Sequence, residues 1–315
     1  MGARRKRWRR ALVPVLIVGL AGASFAVDRE TIELTDAVRS ELGGTYTRLP
    51  DGMVHYRLAG PASGPVVVLV HGGTIPIWTW DRQVGPLVDA GFRVLTYDKF
   101  GRGYSDRPDV PNDQSLFRRQ LLALTDSLGL AEPFDLVGLS LGGGTAINFT
   151  SAYPDRVRRL VLISPVIADY KLSAAFRAPV LGEIVARTIG IRILTDRFVS
   201  LLEGDPQRDR YTERFAEQAR IKGFRRSILS MVRSDALRDY TDAYGAVGRQ
   251  ERAVMLIWGV DDEEITRTMV DSIRTLIPRV RFEPVEGTGH GIVFQKPDTV
   301  TALILDFLRE PQEGS

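Results

Sequence analysis

Positions 133–144 read Pro-Phe-Asp-Leu-Val-Gly-Leu-Ser-Leu-Gly-Gly-Gly and carry the strongest pattern in the chain. An apolar run predicts a strand, which turns at a single serine, Ser140, and continues as a helical pattern over residues 145–149. Gly-x-Ser-x-Gly between a strand and a helix presents a serine nucleophile. So tight a turn leaves no room for side chains two residues either side, and Gly138 and Gly142 remove that clash. The helix also points free N–H groups at the serine, where an oxyanion would form.

Composition and charge limit the classes of function. The 315 residues fit one large α/β domain, or a core domain with an insertion. The net charge of +3 comes from residues 1–26, which hold six basic residues and no acidic residue; the rest of the chain has 36 bases and 39 acids, a net charge of −3. We therefore expect no nucleic-acid partner. The chain has no cysteine, which excludes disulfides, thiolate catalysis and cysteine-ligated metal.

The first 26 residues resemble an export or anchor signal. Six bases precede the uncharged apolar residues 11–26. As a helix, sixteen residues would extend about 24 Å, less than the roughly 30 Å of a hydrocarbon core. The length favours a cleaved signal peptide, with a short signal anchor and membrane association through residues 11–26 as the close alternative. Both place the rest of the chain outside the cytoplasm, exported to the periplasm or beyond, or anchored there; a disordered basic tail on a cytosolic protein is the third interpretation.

The rest of the chain alternates between strand and helix patterns. Apolar or alternating runs predict strands at 45–48, 53–58, 66–70, 92–97, 134–139, 157–163, 253–258 and 279–285. Helical patterns lie between them at 80–89, 115–128, 145–149, 265–276 and 297–308. This rhythm predicts an α/β fold with a mostly parallel sheet flanked by helices.

The alternation stops in one region and so divides the chain. From residue 167 to residue 250 only helical patterns occur, and the strand pattern resumes at residue 253. We therefore predict an α/β core of residues 45–166 and 251–315, with residues 167–250 as a helical lid or cap. A polar amphipathic pattern at residues 27–44 predicts an N-terminal helical spacer.

The glycine spacing at residues 98–105 resembles part of a nucleotide-binding loop. We reject that interpretation. The third glycine of a dinucleotide fingerprint is missing, and Pro108 and Pro111 follow where a helix should begin. The sequence implies no organic cofactor and no metal.

A serine nucleophile needs a base, and the chain has three histidines. His55 lies in a predicted hairpin strand, where a structural role is expected. His71 ends a buried strand, and we expect its ring to brace the following loop. His290 lies in a glycine-rich loop after the last strand, at the edge where ligands bind in open α/β sheets. The elimination leaves His290 as the base for Ser140.

The base needs an acid, which should lie between serine and histidine in the chain. Asp261 and Asp262 directly follow the strand that ends at Gly259, and either one could reach the sheet edge. Asp169, after the preceding strand, is a third candidate. The oxyanion hole needs two backbone donors. We expect one to be the N–H of Leu141 and the other to come from Gly73, with Thr74 as its alternative.

Five motifs in this order resemble the α/β-hydrolase superfamily. They are His71-Gly72-Gly73, Asp98-x-x-Gly101-x-Gly103-x-Ser105, Gly138-x-Ser140-x-Gly142-Gly143, Trp258-Gly259-x-x-Asp262, and Gly289-His290 followed by Pro297. The likeness covers residues 45–310. In that superfamily the acid follows the glycine of Trp-Gly-x-x-Asp by three positions, which implies Asp262 rather than Asp261. The resemblance also implies the α/β-hydrolase fold with a helical lid.

Departures from the superfamily pattern reduce the number of activities that this chain is expected to have. Haloalkane dehalogenases and epoxide hydrolases have aspartate at the nucleophile position, where this chain has Ser140. Relatives that cleave carbon–carbon bonds of ring-cleavage products usually have tryptophan after the catalytic histidine, where this chain has Gly291. We therefore expect a serine hydrolase of carboxylic esters, acting on a small-molecule or lipid ester. A carbon–carbon bond hydrolase or a perhydrolase is the alternative, and a non-catalytic binding protein of the same fold is the alternative from another class.

The substrate pocket should form between the lid and the loop after the first buried strand. The residues expected to contact substrate there are Thr74, Ile75, Ile77 and Trp78.

Overall fold

The computed structural model describes residues 29–130, 132–168 and 174–311. The predicted leader at residues 1–26 and the alternative acid Asp169 lie outside these ranges. Within them, no helix is both long enough and apolar enough to cross a membrane.

Eight strands of the described chain form one sheet in the order β1-β2-β4-β3-β5-β6-β7-β8. Their bounds are β1 Thr45–Leu49, β2 Gly52–Ala59, β3 Val66–Val70, β4 Arg93–Tyr97, β5 Phe134–Leu139, β6 Val157–Ile163, β7 Val254–Gly259 and β8 Arg281–Val285. Strand β2 pairs antiparallel with β1 and β4, and every other pairing is parallel. This confirms the predicted mostly parallel sheet.

The central strands are mostly apolar because helices cover both faces of the sheet. All six residues of β5 are buried, as are all six of β7. Parallel register aligns the strand ends: Val70 pairs with Gly138, and Leu139 pairs with Ile163. The loops that follow β3, β5, β6 and β7 therefore meet at one edge of the sheet.

Helices flank the sheet, and several more lie in the part of the chain between β6 and β7, which we call the gap. Those outside the gap are α1 Asp36–Leu42, α2 Asp81–Asp89, α3 Gln114–Ser127, α4 Leu141–Ala152, α11 Arg267–Leu276, α12 Ile292–Gln295 and α13 Pro297–Arg309. Those inside it are α5 Ala174–Arg177, α6 Pro179–Val185, α7 Ile191–Leu201, α8 Arg208–Ala219, α9 Phe224–Arg233 and α10 Thr241–Gly248. A π-helical turn, Ala186–Gly190, joins α6 to α7. We call α5–α10 the helical insertion; its function as a lid stays a prediction.

The N-terminal spacer differs from its predicted form. The helix begins only at Asp36, where the side chain of Thr35 accepts a hydrogen bond from the amide of Val38 at 3.2 Å. Residues 29–35, the described part before this helix, are not helical, and Ile32 forms a parallel bridge with Ile221 of the insertion. Thr35 explains the difference, because a threonine at this position starts a helix by satisfying a free amide. The segment thus joins the insertion to the core.

Candidate active site

Ser140 lies on a strained turn between β5 and α4. Its φ of 54° and ψ of −120° fall in a region that residues other than glycine rarely adopt. Four hydrogen bonds hold this backbone. The Ser140 amide donates to the carbonyl of Ile163 at 2.9 Å, and the Ser140 carbonyl accepts from the amides of Gly143 at 2.9 Å, Val166 at 3.1 Å and Gly144 at 3.2 Å. The ends of β6 and α4 therefore fix the direction of the serine side chain.

The glycines around Ser140 permit backbone contacts that a side chain would block. A Cβ on Gly138 would lie 2.4 Å from the carbonyl oxygen of Gly142. A Cβ on Gly142 would lie 2.1 Å from the carbonyl oxygen of Val70. The second contact is with β3, so Gly142 allows this neighbouring strand to come close and also permits the turn itself.

His290 bridges Ser140 and Asp262. Its Nε2 lies 3.0 Å from Oγ of Ser140, and its Nδ1 lies 2.9 Å from Oδ2 of Asp262. The side chain of Gln295 holds the histidine loop, since its Oε1 accepts from Oγ1 of Thr288 at 2.6 Å and from the amide of Gly289 at 3.3 Å. Because Nδ1 donates to the Asp262 carboxylate, the proton of the neutral ring is on Nδ1. Nε2 can therefore accept a proton from the serine.

Asp262, not Asp261, faces His290. The Asp262 side chain is buried, and its Oδ1 accepts from the amides of Glu264 and Ile265, each at 2.9 Å. Asp261 is exposed and lines a cavity on the outer side of the histidine loop. Trp258 stabilises the acid loop by donating from Nε1 to the carbonyl of Ile265 at 2.7 Å.

Two main-chain amides beside Ser140 are available to an oxyanion. Gly73 and Leu141 both line the pocket that contains Ser140. Within the described chain, neither amide donates to a backbone or side-chain acceptor. Leu141 is the first residue of α4, so its N–H also lies at the positive end of that helix.

His71 braces the loop that carries Gly73. Its Nε2 accepts from the amide of Lys99 at 2.9 Å, so its Nδ1 carries the proton and donates to the carbonyl of Gly72 at 2.9 Å. Burial, reinforced by the charge of Lys99, lowers the pKa of His71 well below its ordinary value. A ring that stays neutral and has both nitrogens engaged is a structural group.

Arg102 holds the same loop from the other side. Its Nε donates to the carbonyl of Gly73, its Nη1 to Oγ of Ser227 at 2.7 Å, and its Nη2 to Sδ of Met231 at 2.9 Å. Ser227 and Met231 belong to α9, so this arginine joins the oxyanion loop to the insertion. Burial lowers the pKa of Arg102 to about 9, with Arg107 adding to the effect. The sequence pattern gave no sign of this contact.

His55 takes part in a separate buried pair. Its Nδ1 lies 2.7 Å from Oδ2 of Asp98, and Asp98 also accepts from the amides of Ile77 at 2.8 Å and Tyr104 at 2.9 Å. Burial would raise the pKa of Asp98, but His55 and these donors hold it below its ordinary value. The pair stabilises the loop after β4.

The pocket at Ser140, which we call the inner pocket, has a volume of about 100 Å³. Its lining is mostly apolar, with Arg197 of α7 as a charged exception. Besides Ser140, His290, Arg197 and the oxyanion loop, it is lined by Leu141, Val166, Leu194, Ile228, Met231, Val232 and Leu237.

Of the four residues expected to contact substrate, only Thr74 lines the inner pocket. Ile75 is buried in the core. Ile77 uses its amide to bind Asp98. Trp78 stacks on Tyr211 at 5.5 Å between ring centroids, which turns its ring away from the pocket and into the core of the insertion. The expectation for Ile75, Ile77 and Trp78 is corrected accordingly, because the chain enters a 3₁₀ turn, Ile77–Trp80, directly after the loop.

A second, larger cavity of about 590 Å³ lies on the other side of His290, and we call it the outer cavity. Its lining includes four acidic residues and one lysine: Glu203, Asp261, Glu263, Glu264 and Lys296. Glu264 forms a two-pronged ion pair with Arg197 of the inner pocket, with Nε to Oε1 at 2.7 Å and Nη2 bound to Oε2. Sequence reasoning missed both residues, because they lie far apart in the chain and belong to no motif.

Among the described residues, no group of three or more histidine and carboxylate side chains is placed to hold a metal ion.

Comparisons with a family model, with related sequences and with solved structures agree on the family of this chain. The chain matches the model of the Alpha/beta hydrolase family over residues 67–303. A 2-hydroxy-6-oxo-6-phenylhexa-2,4-dienoate hydrolase from Comamonas testosteroni is 28% identical over 88% of this chain and 99% of its own. Among solved structures, the enol-lactonase from Burkholderia xenovorans LB400 has a TM-score of 0.73 at 22% identity, covering 84% of this chain and 100% of its own. A thermophilic esterase from Thermogutta terrifontis has a TM-score of 0.70 at 25% identity, covering 84% and 96%.

Proposed function

Because the chain belongs to the alpha/beta hydrolase family, we propose that it is a serine hydrolase that cleaves carboxylic esters through an acyl-enzyme. One observation carries the proposal. Ser140, His290 and Asp262 form a continuous hydrogen-bonded series, with contacts of 3.0 Å and 2.9 Å, beside the free amides of Gly73 and Leu141. This set supplies a nucleophile, a base, an orienting acid and an oxyanion hole.

In the first half-reaction Ser140 is acylated. Its Oγ attacks the carbonyl carbon of the ester while Nε2 of His290 takes the hydroxyl proton. The carbonyl oxygen becomes an oxyanion and accepts hydrogen bonds from the amides of Gly73 and Leu141. Asp262 holds Nδ1–H and stabilises the imidazolium. When the tetrahedral intermediate collapses, the C–O bond to the alcohol breaks, and the alcohol leaves with the proton from Nε2.

In the second half-reaction water removes the acyl group. His290 takes a proton from a water molecule, whose oxygen attacks the acyl carbon, and the same two amides hold the second oxyanion. Collapse breaks the bond to Oγ and returns the proton from His290 to Ser140. The products are a carboxylic acid and the unchanged enzyme.

The inner pocket supports an apolar ester as substrate. Its side chains are mostly aliphatic, and several of them come from the insertion helices α7 and α9. We propose that the insertion acts as the lid and shapes the acyl site. An inner volume of about 100 Å³ suits a short acyl group, whereas pockets for larger ligands span about 300–1,000 Å³.

Export or anchoring through residues 1–26 is part of the proposal. Six bases followed by sixteen uncharged apolar residues support it. N-terminal sequencing of protein recovered from the cell envelope tests it: a start near residue 27 indicates cleavage, and an intact leader indicates an anchor. Recovery of the protein in the cytoplasm alone would refute both.

A carbon–carbon bond hydrolase is the second candidate. Similarity to the Comamonas testosteroni dienoate hydrolase supports it, as does Arg197, whose guanidinium could pair with the carboxylate of such a substrate. Gly291 argues against it, since a Cβ there would lie 2.3 Å from the carbonyl oxygen of Leu201. No tryptophan fits at that position. A perhydrolase would use the same residues, with hydrogen peroxide in place of water.

A fluorophosphonate probe tests the central proposal. It should label the wild-type protein and fail to label Ser140→Ala. Equal labelling of both would overturn Ser140 as the nucleophile, and labelling of neither would leave a non-catalytic binding protein as the better interpretation. A series of p-nitrophenyl esters, run beside a 2-hydroxy-6-oxo-dienoate, then separates ester from carbon–carbon cleavage by their kcat/KM values.

A further inference from the structure

The inner pocket and the outer cavity meet at His290, which lines both. Arg197 lines the inner pocket and Glu264 lines the outer cavity, so their ion pair stands where one space would open into the other. We call Arg197 and Glu264 the gate pair.

The gate pair links the insertion to the core. Arg197 lies on α7, and Glu264 follows Asp262 by two residues in the loop after β7. The planar guanidinium and the carboxylate meet through two parallel hydrogen bonds, a geometry that favours a defined closed position. The Arg197 side chain is 37% exposed and that of Glu264 is 18% exposed. Water reaches this pair and screens its charges, so opening it costs less than opening a fully buried pair of the same geometry.

Helix α7 itself is firmly held. Phe198, next to Arg197, is buried and lies within 6.0 Å of the rings of Trp78, Phe215 and Phe294. A movement of the whole helix would break this aromatic cluster. The gate pair therefore opens by rotation of the long Arg197 and Glu264 side chains, while the helix stays in place.

The gate pair also touches the reacting groups. Oε2 of Glu264 lies 3.3 Å from Nε2 of His290, the nitrogen that lies 3.0 Å from Oγ of Ser140. The closed pair thus lies against the position where the alcohol leaves and where water enters. An ester whose alcohol or acyl part extends past His290 would have to displace it.

We propose that the gate pair determines the size of the substrate, an inference that rests on the proposed esterase function. With the pair closed, Ser140 is served by the inner pocket alone, and short esters are preferred. With the pair open, the inner pocket continues into the outer cavity of about 590 Å³, a space within the range that holds larger ligands.

The test compares Arg197→Met, Glu264→Gln and the double variant with the wild type. The quantity measured is the ratio of kcat/KM for p-nitrophenyl octanoate to that for p-nitrophenyl acetate. A ratio cancels any equal effect of Glu264 on His290. We expect each single variant to raise the ratio about tenfold, and the double variant to match the singles because all three break the same Arg197–Glu264 pair.

Arg192→Met is the matched control. Arg192 lies on the same helix and pairs with Asp196 at 3.6 Å, but its side chain is 83% exposed and does not line either cavity. The same chemical change there should leave the ratio unchanged.

Fluorophosphonate labelling of each variant separates the outcomes. Normal labelling with an unchanged ratio in Arg197→Met overturns the gate and leaves the esterase proposal intact. Independent, multiplicative effects of the two single variants also overturn it, since the residues would then not act as a pair. A wild type that neither labels nor cleaves esters overturns the proposed function and the gate with it. If Glu264→Gln fails to fold, the Arg197→Met and Arg192→Met comparison decides the matter.

Discussion

Arg102 donates from Nε to the carbonyl oxygen of Gly73, the residue whose amide we assign to the oxyanion hole. The Gly73 carbonyl shares its rigid peptide plane with the amide of Thr74, so this bond restricts rotation about the Cα–C bond of Gly73, a residue that is flexible on its own. Holding this carbonyl limits how the loop can rotate beside Ser140. Because the same guanidinium binds Ser227 and Met231 of α9, the insertion also contributes to the shape of the oxyanion site.

Replacement of Arg102 by lysine should therefore lower kcat by more than its loss of folding stability would explain. A lysine ammonium cannot reproduce the fixed fork of donors that reaches Gly73, Ser227 and Met231 together. We expect kcat for a short ester to fall about 10–100-fold, less than the roughly 10²–10³-fold cost of removing an oxyanion donor outright, because the donor is displaced and not removed. Steady-state kinetics with p-nitrophenyl acetate measures the fall.

Arg107→Lys is its control. Arg107 is half-buried, and desolvation lowers its pKa to about 10, but it binds the carbonyls of Gly103 and Ser105, away from the oxyanion loop. This variant should lose stability in urea unfolding and keep kcat within about threefold, since rigid positioning of the reacting groups is not altered. Equal kcat losses in both variants would show that Arg102 acts only through stability.

The neighbouring acids Asp261 and Asp262 should differ sharply. Asp262→Asn keeps the side-chain shape but cannot hold the histidine tautomer, and we expect kcat to fall about 10⁴-fold. Asp261→Asn, whose side chain is exposed in the outer cavity, should change kcat by less than about threefold, as expected for a surface substitution. Burst kinetics with a p-nitrophenyl ester measures both. Comparable losses in the two variants would contradict the assignment of Asp262.

Gly142 should be intolerant of the smallest side chain. A Cβ there meets the backbone of Val70 at 2.1 Å, and backbone cannot move aside as a side-chain tip can. We expect Gly142→Ala to lower the free energy of unfolding by about 1–3 kcal/mol, the usual cost of overpacking, and to abolish fluorophosphonate labelling. Urea unfolding and probe labelling measure the two effects.

Gly85→Ala provides the opposite case. Gly85 lies in α2, and apart from its chain neighbours and the helix backbone nothing is within 4 Å of a Cβ built on it. Alanine in a helix interior is about 0.5–1 kcal/mol more favourable than glycine, but Pro86 disfavours a helical conformation for a preceding residue that carries a Cβ, so this variant should stay within about 1 kcal/mol of the wild type and label normally. A normally labelled Gly142→Ala would show that the turn can adjust.

Local patterns were sufficient to predict the sheet and the elbow. Strand β5 is buried at every position because both faces are covered, and the glycines around Ser140 follow from the contacts that the turn makes. Motif spacing in the resembled superfamily also distinguished Asp262 from Asp261. In the structure the side chains of Ser140, Asp262 and His290 meet at the sheet edge, in the chain order from which their assignment was made.

Contacts between the insertion and the core could not be predicted in the same way. Arg197 and Glu264 are 67 residues apart, and Arg102 and Ser227 are 125 apart. Their meeting depends on how each insertion helix is rotated and placed, which local periodicity does not specify. The same limit of local periodicity applies to Trp78. An apolar residue near the oxyanion loop can face either the pocket or the core. The sequence predicted which chemistry is present, and packing decides what surrounds it.

The neutral state of buried His71 should appear as a pH dependence of stability. Its pKa in the folded protein lies well below 6.5, whereas the unfolded chain binds a proton there near pH 6.5. Below pH 6.5 the unfolded state therefore holds more protons, and the free energy of unfolding falls as pH falls toward the folded-state pKa; above pH 6.5 this residue contributes no slope. His71→Gln keeps one acceptor and one donor for Lys99 and Gly72 but does not titrate. We expect the stability difference between wild type and variant to shrink from pH 7.5 to pH 5.5 in urea unfolding. A constant difference would mean that His71 takes up a proton in the folded protein and is not held neutral by its surroundings.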